Sequence, residues 1–240
     1  KGAMVVPIVF AEASQIAREY ILVFPKEPAG LPLALLGTEP GKNAYVGDHP
    51  SWRGRYVPAH IKQYPFFSTP AKSWEEVPGS GEPQFMILID EKAPHLGYET
   101  GEYIFYPQGH PGPVLKNLQT MFKRMHMEYA LTTRLVQQID QAGLLTERHI
   151  HVKPTSGRER GLTGFRVVDA AKLRELPPDT VHAFKETGAL MLIYSHLISM
   201  SNLLDGLLAK HLQAPAAAPA SPYGDFGLVD DPGIDFSRLS

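Results

Sequence analysis

Between Pro113 and Gly143, apolar residues recur at alternating steps of three and four: Leu115, Leu118, Phe122, Met125, Tyr129, Val136 and Ile139, with Thr132 in the remaining seam position. Only a helix brings such positions onto one face, so the spacing predicts one long helix that starts at Pro113 and ends near Gly143. The run is short for an independent coiled coil, and its seam is read as packed inside the domain rather than against a second chain. Met125 and Met127 are read as packing residues rather than metal ligands.

The chain before this helix has a different period. Residues 5–10, 20–24 (YILVF), 33–37 (LALLG), 44–46 and 84–90 (QFMILID) are short apolar or β-branched runs bounded by Pro and Gly, and they predict strands. An edge strand is expected at 103–106. The alanine-rich segment 11–18 predicts a short helix, and 72–83 a loop. Among the first four strands, each gap after Phe24 is too short for a crossover helix, which favours antiparallel pairing. Beyond the long helix, 149–152 and 162–168 read as a hairpin around the charged loop 153–160. Asp169 is the expected N-cap of a helix over 170–175. Pro177-Pro178 precedes another helical run through Lys185, and a last helix is expected over 189–212. That helix carries no formal charge from Thr187 to Leu204, but Ser195, His196, Ser199, Ser201 and Asn202 interrupt it. A core helix paired with the long one is therefore preferred to a membrane span.

These elements predict an α+β fold, with an antiparallel sheet from the N-terminal half packed on helices from the C-terminal half. A single domain is expected over residues 1–212. Residues 213–240 are expected to form a flexible Pro/Ala-rich linker and an acidic-aromatic tail, with Phe226, Leu228, Ile234, Phe236 and Leu239 among four aspartates. The tail is read either as disordered or as a docking motif that orders on a partner or sister chain. The start, Lys1-Gly2-Ala3-Met4, shows no signal-peptide pattern, and the chain is expected to enter the domain after its true beginning.

A formal net charge of −2 without any long Lys/Arg run argues against nucleic acid as a partner. With no cysteine, thiolate nucleophiles, disulfides and Cys-ligated metals are excluded. Cysteine content leaves the compartment open; a cytoplasmic location is the expectation, with periplasmic or surface association as alternatives.

The densest chemical signal is the stretch NAYVGDHPSWRGRYVPAHIKQYPFF, residues 43–67. Pro58 suits the first turn of a short helix to Tyr64, which would place His60 and Tyr64 on one face and point Ile61 elsewhere. Arg53, Arg55, Tyr56, His60 and Tyr64 are the candidates for a polar, aromatic-walled pocket that takes an anionic or carbonyl-bearing ligand, because a guanidinium fork grips such groups at two points. The alternative is a structural corner with Trp52 buried and an arginine stacked on a tyrosine. Asp90 and Glu91, at the end of an apolar strand, are further candidates: as acids or bases, as turn caps, or as partners for Arg53 or Arg55.

Other chemistry is poorly represented. No P-loop, dinucleotide fingerprint or Gly-x-Ser-x-Gly elbow occurs, and Gly79-Ser80-Gly81 lacks the strand-to-helix context of a nucleophile. Ser195 and His196 are helix neighbours pointing about 100° apart and cannot pair with each other. His149 and His151 would share a strand face and could begin a metal site, but a third ligand would have to come from elsewhere, such as Asp90 or Glu91; exposed hairpin histidines are preferred. His126-Met127-Glu128 has the spacing of an iron facial pair but sits on a helix. No cofactor is expected.

The order EAS…REYILVF, LALLGTEPGKNAYV, SWRGRYVPAHIKQYPFF, FMILIDE, a long helix ending in AGLL, LTGFRVVDAAKL and GALMLIYSHLISMSNL resembles the SapC-like family of bacterial proteins, from Val5 to about Leu208. The sequence departs from the family at the front, where members usually carry a further basic segment. The resemblance implies a bacterial accessory protein associated with surface layers, whose genes often lie near outer-membrane TonB-dependent receptors and tryptophan-halogenase-like flavoproteins. It carries no catalytic residues over to this chain. An unrelated transporter permease shares the label but would need multiple membrane spans. The leading expectation is a non-catalytic binding protein with a peptide or protein partner, a flavoprotein or outer-membrane receptor being the implied associates. The alternative is an enzyme acting on a peptide or small molecule, with Arg55, Tyr56, His60 and Asp90 converging in one cleft. A homo-oligomer is left open.

Overall fold

The computed structural model describes residues 2–28, 30–38, 41–46, 51–70, 85–97, 100–152 and 160–212. Residues 47–50 of the 43–67 stretch, the 72–83 loop with Gly79-Ser80-Gly81, most of the 153–160 loop and the tail beyond 212 lie outside the described residues.

In chain order the elements are β1 (Val5–Pro7), a 3₁₀ turn (Phe10–Glu12), α1 (Ala13–Ala17), β2 (Ile21–Pro25), β3 (Leu33–Leu35), α2 (Ala59–Lys62), β4 (Phe66–Pro70) and β5 (Phe85–Ile89). They continue with α3 (Pro113–Gln141), β6 (Leu145–Val152), β7 (Arg160–Val168), α4 (Ala170–Arg174), α5 (Pro178–Thr187), α6 (Ala189–Ser199), α7 (Asn202–Asp205) and α8 (Leu207–Leu212). The fold is α+β. A five-stranded antiparallel sheet runs β1-β3-β2-β7-β6, and a separate two-stranded sheet pairs β4 with β5. The β6–β7 hairpin completes the sheet begun by the N-terminal strands.

The seam of α3 serves both sheets. Leu118, Phe122 and Met125 in its first half pack with Phe66, Phe85 and Ile87 of the small sheet. Leu135, Val136 and Ile139 in its second half join the main core with Ile8, Leu22, Phe24 and Leu192. At 1.5 Å per residue, this 29-residue helix is about 43 Å long, enough to bridge two cores. Thr132, the polar seam residue, is fully buried; its Oγ1 accepts the Phe10 N–H at 2.8 Å and donates to the Glu128 carbonyl at 2.6 Å. A leucine there would leave the backbone of the 3₁₀ turn without an acceptor.

The expected single helix over 189–212 is three pieces, and its polar residues explain why. His196, Ser199 and Asn202 are buried and turned toward the sheet side of the core. Asn202 Nδ2 donates to the carbonyls of Ala17 (3.0 Å) and Tyr20 (2.8 Å), Ser199 Oγ accepts the Leu22 N–H (3.0 Å), and the chain bends at Met200–Ser201 and again at Gly206. No single helix among the described residues is long and apolar enough to cross a membrane; 178–187 and 189–210 reach the length only as a pair bent by 90°.

Other expectations shift at their ends. Residues 44–46 form no strand: the Tyr45 N–H bonds to Asn43 Oδ1 at 2.8 Å, closing an Asx turn, and Val46 makes one isolated bridge to Trp52. Residues 103–106 make one bridge, Phe105 to Pro111, whose proline lacks the N–H needed to extend a ladder. The strand at 5–10 stops at Pro7; the 3₁₀ turn follows, with the Val9 N–H donating to Glu12 Oε1 and the Glu12 N–H to the Val9 carbonyl, both at 3.1 Å. β4 was not expected; flanked by prolines, it is stabilised by pairing with the distant β5. In the β6–β7 hairpin the register shifts after Arg148, opposite Gly164 at φ +86°, a conformation glycine adopts without strain. Asp169 caps α4 as expected, accepting from the N–H groups of Ala171 and Lys172.

Candidate functional site

Two glutamates on either side of α1, Glu12 before it and Glu19 just past its end, hold the 52–59 loop. Glu12, 4% exposed, accepts three hydrogen bonds: Val9 N–H on Oε1 (3.1 Å), and the Tyr56 hydroxyl (2.8 Å) and Ala59 N–H (2.8 Å) on Oε2. Glu19 accepts the Arg55 N–H on Oε2 (2.7 Å) and the Tyr56 N–H on Oε1 (2.9 Å). Carboxylates satisfied by backbone donors in this way fix the loop without consuming its arginines.

Tyr56 is the hub. Besides these bonds, its carbonyl accepts from the Tyr20 hydroxyl and from Trp52 Nε1 at 3.1 Å, and Lys62 Nζ lies 4.2 Å from its ring centroid. Behind it, Tyr20 stacks on Tyr45 at 4.3 Å and Tyr45 on Trp52 at 5.9 Å, while the Tyr45 hydroxyl donates to the Glu19 carbonyl. Burial pushes the phenols of Tyr20, Tyr45 and Tyr56 well above the ordinary tyrosine range, with nearby glutamates pushing the same way, so all three stay protonated hydrogen-bond donors.

A pocket of about 300 Å³ opens beside this braced loop, lined by Gln15, Arg18, Glu19, Arg55 and Tyr56. Arg18 and Arg55 are exposed, and neither guanidinium has a hydrogen bond or ion pair among the described residues. A larger hollow of about 460 Å³ lies between the end of α3 and the start of α5, but no charged side chain lines it.

The residues singled out from the sequence fall into separate groups. Arg55 and Tyr56 share the pocket. His60 sits close enough to feel the Glu12 charge, and its Nδ1 is 3.2 Å from Gln63 Nε2; burial lowers its pKa and the Glu12 carboxylate partly opposes this. Tyr64 and Asp90 meet at the head of the small sheet: the Tyr64 hydroxyl donates to Asp90 Oδ2 at 3.1 Å, and Asp90 Oδ1 accepts the Lys92 N–H at 3.0 Å. Arg53 is exposed, with its N–H bonded to the Tyr45 carbonyl at 2.8 Å, and Glu91 is exposed in the following turn. No hydrogen bond or ion pair among the described residues joins Arg53 or Arg55 to Asp90 or Glu91. Nor does a described group of three or more His, Asp or Glu side chains offer a metal site.

Sequence reasoning missed Glu12, Gln15, Arg18 and Glu19. The available signal was two carboxylates seven residues apart, flanking a short alanine-containing helical segment.

A family model described as SapC matches residues 1–205, and the chain therefore belongs to the SapC family. No curated protein and no solved structure matches it.

Proposed function

We propose that this SapC-family chain is a non-catalytic accessory protein that binds a peptide or protein partner, with the 52–56 loop as its recognition element. The observation that carries this reading is the pair of guanidiniums, Arg18 and Arg55, without a partner among the described residues, at the rim of a pocket whose backbone is already fixed by Glu12 and Glu19. An acidic side chain or a terminal carboxylate of the partner fits between them, with the Tyr56 ring as an apolar wall. The carboxylates near the pocket accept from backbone amides, and Asp90 belongs to a different network, which favours recognition over general acid–base chemistry. The surface-layer and outer-membrane uptake setting is the one that the family resemblance implies.

The test is a pull-down from the native bacterial extract with the wild-type chain and an Arg18→Ala/Arg55→Ala variant, read by mass spectrometry at two salt concentrations. Partner recovery should fall in the variant and, for the wild type, at the higher salt. Equal recovery by both chains would remove the pocket from the binding surface.

A further inference from the structure

Among the described residues, one edge of the small sheet has no partner. The Asp90 N–H bonds to the Pro65 carbonyl at 2.9 Å, and the β4–β5 register runs unbroken from Phe66↔Ile89 to Pro70↔Phe85. In an antiparallel ladder, hydrogen-bonded and non-hydrogen-bonded pairs alternate, so 65/90, 67/88 and 69/86 face inward. Phe85, Ile87 and Ile89 then turn their N–H and C=O groups to the open side of β5. The Phe66 N–H agrees with this phase, since it points away from β5 and bonds to the Gln63 carbonyl at 2.8 Å. No described backbone group pairs with the open edge of β5.

Natural edge strands are usually blunted by a charge, a proline or a bulge. Phe85-Met86-Ile87-Leu88-Ile89 has none of these. Its inner side chains pack on α3, whereas its outer face is also apolar: Met86 is 43% exposed, Leu88 48% and the neighbouring Phe67 38%. A neutral, apolar, unbulged edge with a greasy outer face fits another strand of the same character. The chain's own tail, with four aspartates, would bring negative charge toward Asp90 and Glu91, which argues against it as the occupant.

We infer that β5 pairs edge to edge with β5 of a second copy, forming a continuous four-stranded sheet around a two-fold axis. The register that uses the outward-facing groups centres on Ile87: it sets Ile87 against the second copy's Ile87, and Phe85 against its Ile89. On the outer face Met86 then meets the second copy's Leu88, and the two Asp90 side chains lie at opposite ends. Such an isologous contact closes on itself and leaves no β5 edge open for fibre growth. One five-residue strand per copy is well below a standard interface, so the dimer is weak and depends on concentration.

Sedimentation velocity of the full chain from micromolar to near-millimolar concentration should show a reversible monomer–dimer equilibrium. Met86→Lys/Leu88→Lys sets like charges against each other across the two-fold and should raise the dissociation constant at least about tenfold. Circular dichroism melting of the same variant checks that it still folds, since both positions are exposed. Because the chain has no cysteine, a mixture of Met86→Cys and Leu88→Cys chains should oxidise to the mixed disulfide dimer in preference to either like pair. A wild type that stays monomeric throughout, a dimer indifferent to the lysine pair, or cross-linking without preference for the mixed pair would each overturn the inference.

Discussion

His196 donates from Nδ1 to the Leu22 carbonyl at 2.7 Å. Its Nε2 accepts the Val168 N–H at 3.1 Å. The β2–β7 ladder pairs Phe24 with Arg166 and Pro25 with Phe165, so the same register would set Leu22 opposite Val168, two residues beyond the Phe24–Arg166 pair. The imidazole of α6 replaces that rung, wedged between two strands that have splayed apart, and Ser199 takes the Leu22 N–H.

This bridge needs a neutral ring, because Nε2 must accept. Burial pushes the His196 pKa down to about 4, only partly opposed by its bond to the Leu22 carbonyl. The unfolded chain, titrating near the ordinary 6.5, binds the proton first. Stability from this group is therefore complete above pH 6.5 and is lost as pH falls from there toward 4, by about 3 kcal/mol in all. Urea unfolding at pH 7.5, 6 and 4.5 should show the decline, and His196→Gln should be less stable at pH 7.5 with a flatter pH dependence. An unchanged slope in the variant would assign the acid sensitivity to other groups.

Glu12 and Glu19 should differ in cost. Glu12→Ala strands three donors in a buried site and should destabilise by on the order of 3 kcal/mol or more, whereas Glu19, half-buried with two backbone donors on its carboxylate, should cost about 1–2 kcal/mol. Urea melts of both variants measure the ranking, and a larger loss for Glu19→Ala would contradict it.

Gly54 is held in place by its neighbours rather than by its own backbone angles. A Cβ there would lie 2.7 Å from the Tyr20 hydroxyl, 3.0 Å from Trp52 Nε1 and 3.2 Å from Glu19 Oε2. Gly54→Ala should destabilise by about 1–3 kcal/mol and weaken partner capture by displacing the Arg55 amide. Urea unfolding followed by tryptophan fluorescence would report both the loss of stability and the altered indole environment.

Thr132→Val keeps the shape of the seam but removes the acceptor for the Phe10 N–H. It should cost about 1–3 kcal/mol, and Thr132→Ser should recover most of that. Equal stability of the valine and threonine chains would mean that the 3₁₀ turn finds another partner.

The parts of the fold visible in the sequence were those written in local periodicity. The α3 seam, the β2 strand and the Asp169 cap depend on residues within a few positions of one another. What was hidden depends on distant partners. Nothing near Glu12 announces that its carboxylate will accept from Ala59, 47 residues on, and nothing near Asn202 announces that its amide will reach Ala17 and Tyr20. The aromatics and arginines of the 43–67 stretch stood out in composition, but which of them would gather was fixed by α1. Arg55 and Tyr56 meet Arg18 there, whereas Asp90 is carried off by the small sheet.

The imidazole wedge also bears on how the protein is made. The Leu22 backbone acquires its partners 174 and 177 residues later in the chain, and Asn202 ties down the segment before β2 from still further away. A nascent chain that has extruded every strand of the main sheet can pair Phe24 with Arg166 and Pro25 with Phe165, but still lacks the imidazole that bridges Leu22 and Val168. Completion of the fold therefore waits for α6 to leave the ribosome, and until then the apolar strand β2 is a natural client for a chaperone.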